Sequence, residues 1–132
     1  MTVFVDTSAF LALLNDTDKR HEQAKRIWRR LVEQEQELMT TNYVLLETIS
    51  LVQRRLGMSI VRSFQANIVE FLDILWVNEQ LHREAVTYFL TANRRQLSLV
   101  DCISFVAMCQ VNLQTAYVFD GHFTEQGFTV LE

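Results

Sequence analysis

Short apolar runs alternate along this chain with longer segments in which apolar residues recur every three or four positions. Runs with the length and composition of β-strands are TVFV (2–5), LMT (38–40), ILWV (74–77), AYVF (116–119) and FTVL (128–131). The intervening patterns predict helices over 7–14, 18–36, 42–56, 59–71, 79–92 and 99–111, and a small turn or helix at 121–127. Alternation of this kind is typical of an α/β fold with a parallel sheet.

Composition indicates one compact domain over residues 1–132, because 49% of the residues are hydrophobic and no linker or repeat interrupts the pattern. A chain of this length buries enough surface to fold without disulfides. Cys102 and Cys109 lie about 10 Å apart along one predicted helix, too far to bridge. We therefore expect a reduced, cytoplasmic location, with neither a signal peptide nor a membrane span.

Four carboxylates occupy the positions where strands meet helices or where helices are apolar: Asp6, Glu47, Asp101 and Asp120. Asp6 and Asp120 end apolar runs, and ligands of parallel sheets bind outside the carboxyl ends of the strands. Glu47 shares a helical stripe with apolar residues, so we expect its charge to face the protein. An ionised carboxylate on an apolar face is costly unless it is paired, hydrogen-bonded or bound to metal.

Each carboxylate also has a purely structural interpretation. Asp6 and Asp120 could cap the helices that follow their strands, and Ser98 to Asp101 spells the S-x-x-D pattern of a capping box. Glu47 has the weakest structural alternative, since only Arg54 on its own helix could pair with it. Taken together, four acids in one cleft would repel strongly without a cation.

The residue types favour a hard divalent ion. Oxygen ligands suit Mg²⁺ or Mn²⁺, whereas Zn²⁺ prefers His and Cys, and the three histidines show no ligand spacing. Such ions activate water for attack on phosphorus. No nucleotide-binding glycine motif and no G-x-S-x-G are present, which disfavours dinucleotide or serine-hydrolase chemistry.

The net charge of −4 argues at first against a nucleic-acid partner, but without the four acids the rest of the chain is neutral. Its basic residues fall into groups that could follow a phosphate backbone or could simply be solvated helix faces. The groups are Lys19, Arg20, Lys25, Arg26, Arg29 and Arg30; Arg54, Arg55 and Arg62; and Arg94 and Arg95.

Four segments carry a family resemblance: MTVFVDTSAF, the helix around Glu47, LSLVDCISFVAM and YVFDGHFTEQGF. Together they resemble the PIN-domain ribonucleases, in particular the VapC-type toxins of prokaryotic toxin–antitoxin pairs. The resemblance implies a three-layer α/β/α sandwich with a mostly parallel sheet. It also implies that Asp6 and Asp101 bind Mg²⁺ directly, and that Asp120 and Glu47 complete the pocket directly or through water.

Supporting roles follow from the same resemblance. Thr7 or Ser8 would orient a carboxylate or a metal-bound water, and His122 follows Asp120 as the family pattern suggests. The implied partners are an RNA substrate, a small antitoxin protein and a second copy of the chain. Two alternatives stay open at this point: a structure-specific nuclease of nucleic-acid processing, and a non-catalytic module that uses the acidic pocket to hold a basic partner.

Overall fold

The computed structural model describes all 132 residues and contains five strands and seven α-helices. The strands are β1 (Thr2–Val5), β2 (Glu37–Thr41), β3 (Asp73–Leu75), β4 (Thr115–Tyr117) and β5 (Thr129–Val130). The helices are α1 (Thr7–Leu14), α2 (His21–Glu33), α3 (Asn42–Arg55), α4 (Met58–Asn67), α5 (Glu79–Ala92), α6 (Leu99–Gln110) and α7 (His122–Glu125), and a 3-10 helix covers Val69–Phe71. The expected order of elements is confirmed.

The sheet is entirely parallel, and its strands lie in the order β3-β2-β1-β4-β5. β1 lies at the centre, and its last three residues are buried because neighbouring layers cover both faces. The pairing of β1 with β4 continues one residue beyond β1, where the Asp6 N–H donates to the carbonyl of Tyr117 at 3.1 Å. The end of β1 is therefore held firmly against β4.

The core is continuous from the sheet into the helices that pack on it. Phe10 of α1 meets Phe64 of α4 edge-on, with ring centroids 5.1 Å apart, and both rings are fully buried. Tyr117 is also buried, and its hydroxyl donates to the carbonyl of Ala24 in α2 at 2.6 Å. None of the helices is long and apolar enough to cross a membrane.

Several predicted boundaries were wrong. The helix expected over 18–36 is shorter because the Asp18 carboxylate accepts the backbone N–H of Arg20 in a turn, and Glu35 has a positive φ of 52°. The helix expected over 59–71 breaks at Ile68 and resumes only as the 3-10 turn. The strand expected over 74–77 ends at residue 75. Trp76 is 69% exposed, so this apolar residue lies on the surface beyond the strand.

Two local features fix the ends of α3. Gly57 follows the last residues of α3 with a φ of 92°, a left-handed conformation that glycine adopts without steric cost. Thr41 caps the start of α3, since its hydroxyl accepts the N–H of Val44 at 3.1 Å. Cys102 and Cys109 are both free thiols.

Candidate metal centre

The candidate site lies where the strand order reverses, between the carboxyl ends of β1 and β4. In open parallel sheets this reversal leaves a crevice, because the helices after the two strands diverge to either side. Asp6 directly follows β1, and Asp120 comes three residues after β4. Asp101 reaches the same crevice from the first turn of α6.

Asp6 is buried and caps α1, as its structural interpretation requires, but the cap uses only one of its two oxygens. Oδ2 accepts the backbone N–H of Ser8 at 3.0 Å and the Ser8 hydroxyl at 2.8 Å. The Ser8 hydroxyl also accepts the N–H of Phe119 at 2.9 Å. Ser8 therefore orients Asp6 and ties it to the segment that leads to Asp120, while Oδ1 of Asp6 remains free of hydrogen bonds.

Asp101 is buried as well, and only half of the capping box that its sequence suggests is formed. The Ser98 hydroxyl accepts the Asp101 backbone N–H at 3.0 Å, which caps α6. The Asp101 carboxylate does not return a bond to the N–H of Ser98 and faces Asp120 and the His122 ring instead. Capping therefore explains the position of Ser98 and leaves the buried carboxylate of Asp101 without a structural role.

Asp120 and His122 complete a compact cluster with Asp101. Asp120 Oδ1 accepts the backbone N–H of His122 at 2.8 Å, and this turn directs the imidazole towards both carboxylates. His122 Nδ1 lies 2.9 Å from Asp120 Oδ1 and 3.4 Å from Asp101 Oδ2. The angle at Nδ1 is unfavourable, so this buried nitrogen has no hydrogen-bond partner. One potential ligand atom from each of the three residues lies within 4.8 Å of the others.

Glu47 on α3 lies at the edge of this cluster and is half-buried, so the expectation that its charge faces the protein holds only in part. It forms no hydrogen bond or ion pair with the protein, but its charge contributes to the raised pKa of Asp6. Thr7 does not contact a carboxylate: its hydroxyl donates to the Val44 carbonyl at 3.4 Å and accepts from Thr48 at 3.2 Å. Thr48 is a residue that the sequence reasoning missed, although its position next to Glu47 on a buried face was visible.

Burial and mutual repulsion raise the pKa values of the two most buried acids. Burial is the main cause that raises the pKa of Asp6 to about 6, the charges of Asp120 and Glu47 add to it, and the bonds from Ser8 oppose it. Burial likewise raises the pKa of Asp101 to about 7, followed by the charges of Asp120 and Asp6. The crevice therefore concentrates negative charge, which His122 opposes only in part.

These residues fit a divalent cation. Asp101, Asp120 and the unpartnered nitrogen of His122 form one group of potential ligand atoms, and Asp6, outside that group, adds an oxygen that is free of hydrogen bonds. Carboxylate oxygens are the preferred ligands of Mg²⁺ and Mn²⁺, and Mn²⁺ also accepts an imidazole nitrogen. A cation in this crevice would offset the repulsion that raises both pKa values.

Comparison with known proteins shows which family the chain belongs to. The chain matches the PIN domain over residues 3–128. It is 36% identical over 127 residues to the 23S rRNA-specific endonuclease VapC20 of Mycobacterium tuberculosis, an alignment that covers 96% of this chain and 95% of that protein.

Solved structures show the same fold. The crystal structure of Mycobacterium tuberculosis VapC20, described as a Sarcin-Ricin loop cleaving toxin, is similar with a TM-score of 0.85 and 35% identity, covering 96% of both chains. VapBC2 from Rickettsia felis, bound to a promoter DNA fragment, matches with a TM-score of 0.72 at 12% identity and covers 99% of this chain and 98% of that one. The five-stranded parallel sheet is thus the centre of a PIN-like α/β/α sandwich, and the chain belongs to the PIN-domain family.

Proposed function

We propose that residues 1–132 form one nuclease domain that hydrolyses phosphodiester bonds in RNA with the help of Mg²⁺ or Mn²⁺. One observation carries the proposal: Asp6, Asp101 and Asp120 come from separate elements and meet in the crevice between β1 and β4. Acids that only stabilise the fold would be spread over the surface or paired with cations. The similarity to an rRNA-specific endonuclease over 96% of the chain supports the same reading.

Asp6 and Asp101 are the direct ligands in this proposal, with Asp120 and Glu47 completing the coordination directly or through water. These residues would hold the cation, which when bound would supply an activated water and stabilise the leaving oxygen of the phosphodiester. Ser8 holds Asp6 in one rotamer by two hydrogen bonds, so the carboxylate is oriented before the ion arrives. His122 Nδ1 lies 3.4 Å from Asp101 and 2.9 Å from Asp120 without a hydrogen bond to either, so the ring is placed to position these carboxylates around the ion.

Glu47 has a different task in the reaction. Its carboxylate is half-exposed and has no protein partner, so it is free to orient the attacking water or to accept a proton from it. The hydroxyl pair of Thr7 and Thr48 fixes α3 against α1 one residue away from Glu47. This contact sets the distance of Glu47 from Asp6 without touching the substrate.

Substrate and partners follow from the relatives. VapC20 is named for cleavage of 23S rRNA, and we assign ribosomal RNA as the substrate class of this chain. The chain then acts as the toxin of a toxin–antitoxin pair in the cytoplasm, where ribosomes are found and thiols such as Cys109 stay reduced. A small antitoxin protein and a second copy of the chain are the proposed protein partners.

The test is cleavage of purified ribosomes and of single-stranded RNA by the wild type in Mg²⁺ or Mn²⁺. Asp6→Asn and Asp101→Asn should each lower the cleavage rate at least about a hundredfold, the effect typical of losing one preorganised electrostatic group. Asp16→Asn, at an exposed position outside the crevice, is the matched control and should cleave normally. Undiminished cleavage in both crevice variants would refute the proposed site.

A protein that binds RNA tightly but cleaves nothing in either metal would instead be a binding module. Preferential cleavage of branched substrates over single-stranded RNA would indicate a structure-specific processing nuclease. Mapping the cut positions on total RNA separates this outcome from a toxin that acts on ribosomal RNA.

A further inference from the structure

A cleft of about 180 Å³ opens beside Ser8, the residue that orients Asp6. Its floor follows one face of α1, its first wall is the loop before α2, and its second wall is the end of α3. The residues that line it are Ser8, Leu11, Asn15, Asp18, Arg20, Arg55 and Leu56. The cleft is therefore continuous with the candidate metal centre but contains none of its four acids.

Arg20 and Arg55 belong to two of the basic groups noted in the sequence, and folding brings them to opposite walls of this cleft. Both are exposed, and neither forms an ion pair with an acidic side chain. Asp18 is the only acid in the lining, and its carboxylate already accepts the backbone N–H of Arg20 at 2.7 Å. The cleft thus has an excess of one positive charge next to a strongly acidic crevice.

The guanidinium of Arg20 is held in place by an aromatic ring. It lies over Phe119, 5.5 Å from the ring centroid, an arrangement in which a cation is attracted to the face of the ring. Phe119 is itself fixed by the Ser8 hydroxyl, and it directly precedes Asp120. Arg20 is therefore positioned relative to the metal centre through a short chain of contacts.

Asn15 adds a neutral donor to the cleft. Its side-chain oxygen accepts the backbone N–H of Thr17 at 3.1 Å and the Thr17 hydroxyl at 2.8 Å. Since a backbone N–H can only donate, the atom facing Thr17 must be the oxygen, and the amide NH₂ remains free to donate. Two guanidinium groups and one amide thus offer several donors against one carboxylate, that of Asp18, a set that suits phosphate oxygens.

We propose that this cleft binds backbone phosphates of the RNA strand beside the bond that is cleaved. The inference rests on the proposed function and deepens it. Arg20 and Arg55 line this cleft and none of the four acids does, so the phosphates that they hold flank the reacting one rather than coincide with it. The cleft binds the RNA strand and fixes its position, and the acids carry out the chemistry.

The experiment compares each arginine with its sequence neighbour. Lys19→Ala is the control for Arg20→Ala, and Arg54→Ala is the control for Arg55→Ala. Each of the four variants removes one exposed positive charge, but only Arg20 and Arg55 line the cleft. Binding of a fluorescein-labelled single-stranded RNA is measured by anisotropy in the Asp101→Asn background between 50 and 200 mM salt. Steady-state cleavage is measured in the otherwise wild-type protein.

Arg20→Ala and Arg55→Ala should each weaken RNA binding about tenfold, the effect of losing one charge-assisted hydrogen bond. The slope of log affinity against log salt should fall by about 0.7 for each lost phosphate contact. In cleavage assays KM should rise while kcat stays unchanged, because the lost contacts are equal in ground state and transition state. Both neighbour variants should change affinity less than about twofold.

Arginine variants that bind and cleave like their neighbours would overturn the cleft proposal and leave the proposed function intact. A fall in kcat without a rise in KM would also overturn it, since the arginines would then act in the chemical step. If the wild type neither cleaves RNA nor binds it in the Asp101→Asn form, the proposed function fails and the cleft proposal fails with it.

Discussion

Replacing Asp6 by Asn should stabilise the metal-free protein while it abolishes cleavage. Burial raises the pKa of Asp6 from its ordinary value of 3.8 to about 6, so the ionised carboxylate disfavours the folded state. Asparagine carries no charge, and its amide oxygen can accept both hydrogen bonds from Ser8. The substitution thus removes the cost of burying the charge and keeps the local contacts.

The size of the effect follows from the pKa values. A change from 3.8 to about 6 corresponds to about 3 kcal/mol of unfolding free energy at pH 8. Because folding raises this pKa, the wild type has this part of its unfolding free energy in full below pH 3.8, where Asp6 is mostly protonated. It loses that part as the pH rises through about 6 and Asp6 ionises in the folded protein. At pH 4 the difference between wild type and Asp6→Asn should therefore shrink to about 0.5 kcal/mol.

The assay is thermal and urea unfolding in a chelator at pH 4, 6 and 8. For a chain of this size, about 3 kcal/mol corresponds to a melting temperature about 10 °C higher for Asp6→Asn at pH 8. Asp16→Asn, with an exposed carboxylate, should show no such pH-dependent gain. Added Mn²⁺ should reverse the order at about a thousand times its Kd, because it then contributes about 4.1 kcal/mol and only the intact site binds it.

Two results would refute the reasoning. One is an Asp6→Asn variant that melts at or below the wild-type temperature at pH 8 without metal. The other is a stabilisation of equal size at pH 4 and pH 8, which would mean that the charge of Asp6 is not its cause.

Three further variants test the contacts around the crevice and the core. Ser8→Ala should lower stability by about 1–3 kcal/mol in urea unfolding, because the buried N–H of Phe119 loses its partner, and an unchanged midpoint would contradict this. His122→Ala should weaken Mn²⁺ binding about 10-fold to 100-fold in metal-dependent melting, and full retention would show that the ring does not position the acids. Phe64→Ala should cost about 3–5 kcal/mol, whereas Phe71→Ala, at a side chain that is 74% exposed, should cost little; equal losses would contradict the core assignment.

The sequence predicts the elements of this fold well because hydrophobic periodicity reports burial. β1 and α5 have the expected bounds, whereas α2 is shorter than expected because local turns at Asp18 and Glu35 end its helical pattern. Trp76 extends an apolar run past the end of β3, and periodicity cannot show that its ring faces solvent. The break at Ile68 was also hidden, since the apolar pattern continues through the 3-10 turn.

Strand order and the site geometry depend on contacts between distant segments. Asp6 and Asp120 are recognisable from sequence because they follow strands, and the carboxyl ends of parallel strands share one edge. The approach of His122 to Asp101 depends on the turn at Asp120, and local histidine spacing carries no sign of it. The convergence of Arg20 and Arg55 is likewise tertiary and could not be read from two basic groups far apart in the chain.

The distance along the chain between the acids has a thermodynamic consequence. Asp6 lies near the start of the chain and Asp120 near its end, so the unfolded chain cannot present them to one cation as the folded crevice does. Without metal, their repulsion lowers the stability of the folded state, and in the proposed site the same charges would become ligands that only this state offers. Under the proposed function, metal binding and folding are therefore coupled through the same carboxylates. A crevice variant that raises the melting temperature of the metal-free protein at pH 8 should therefore lose a matching part of the melting-temperature rise that Mn²⁺ causes. Melting with and without Mn²⁺ thus identifies the residues of the site.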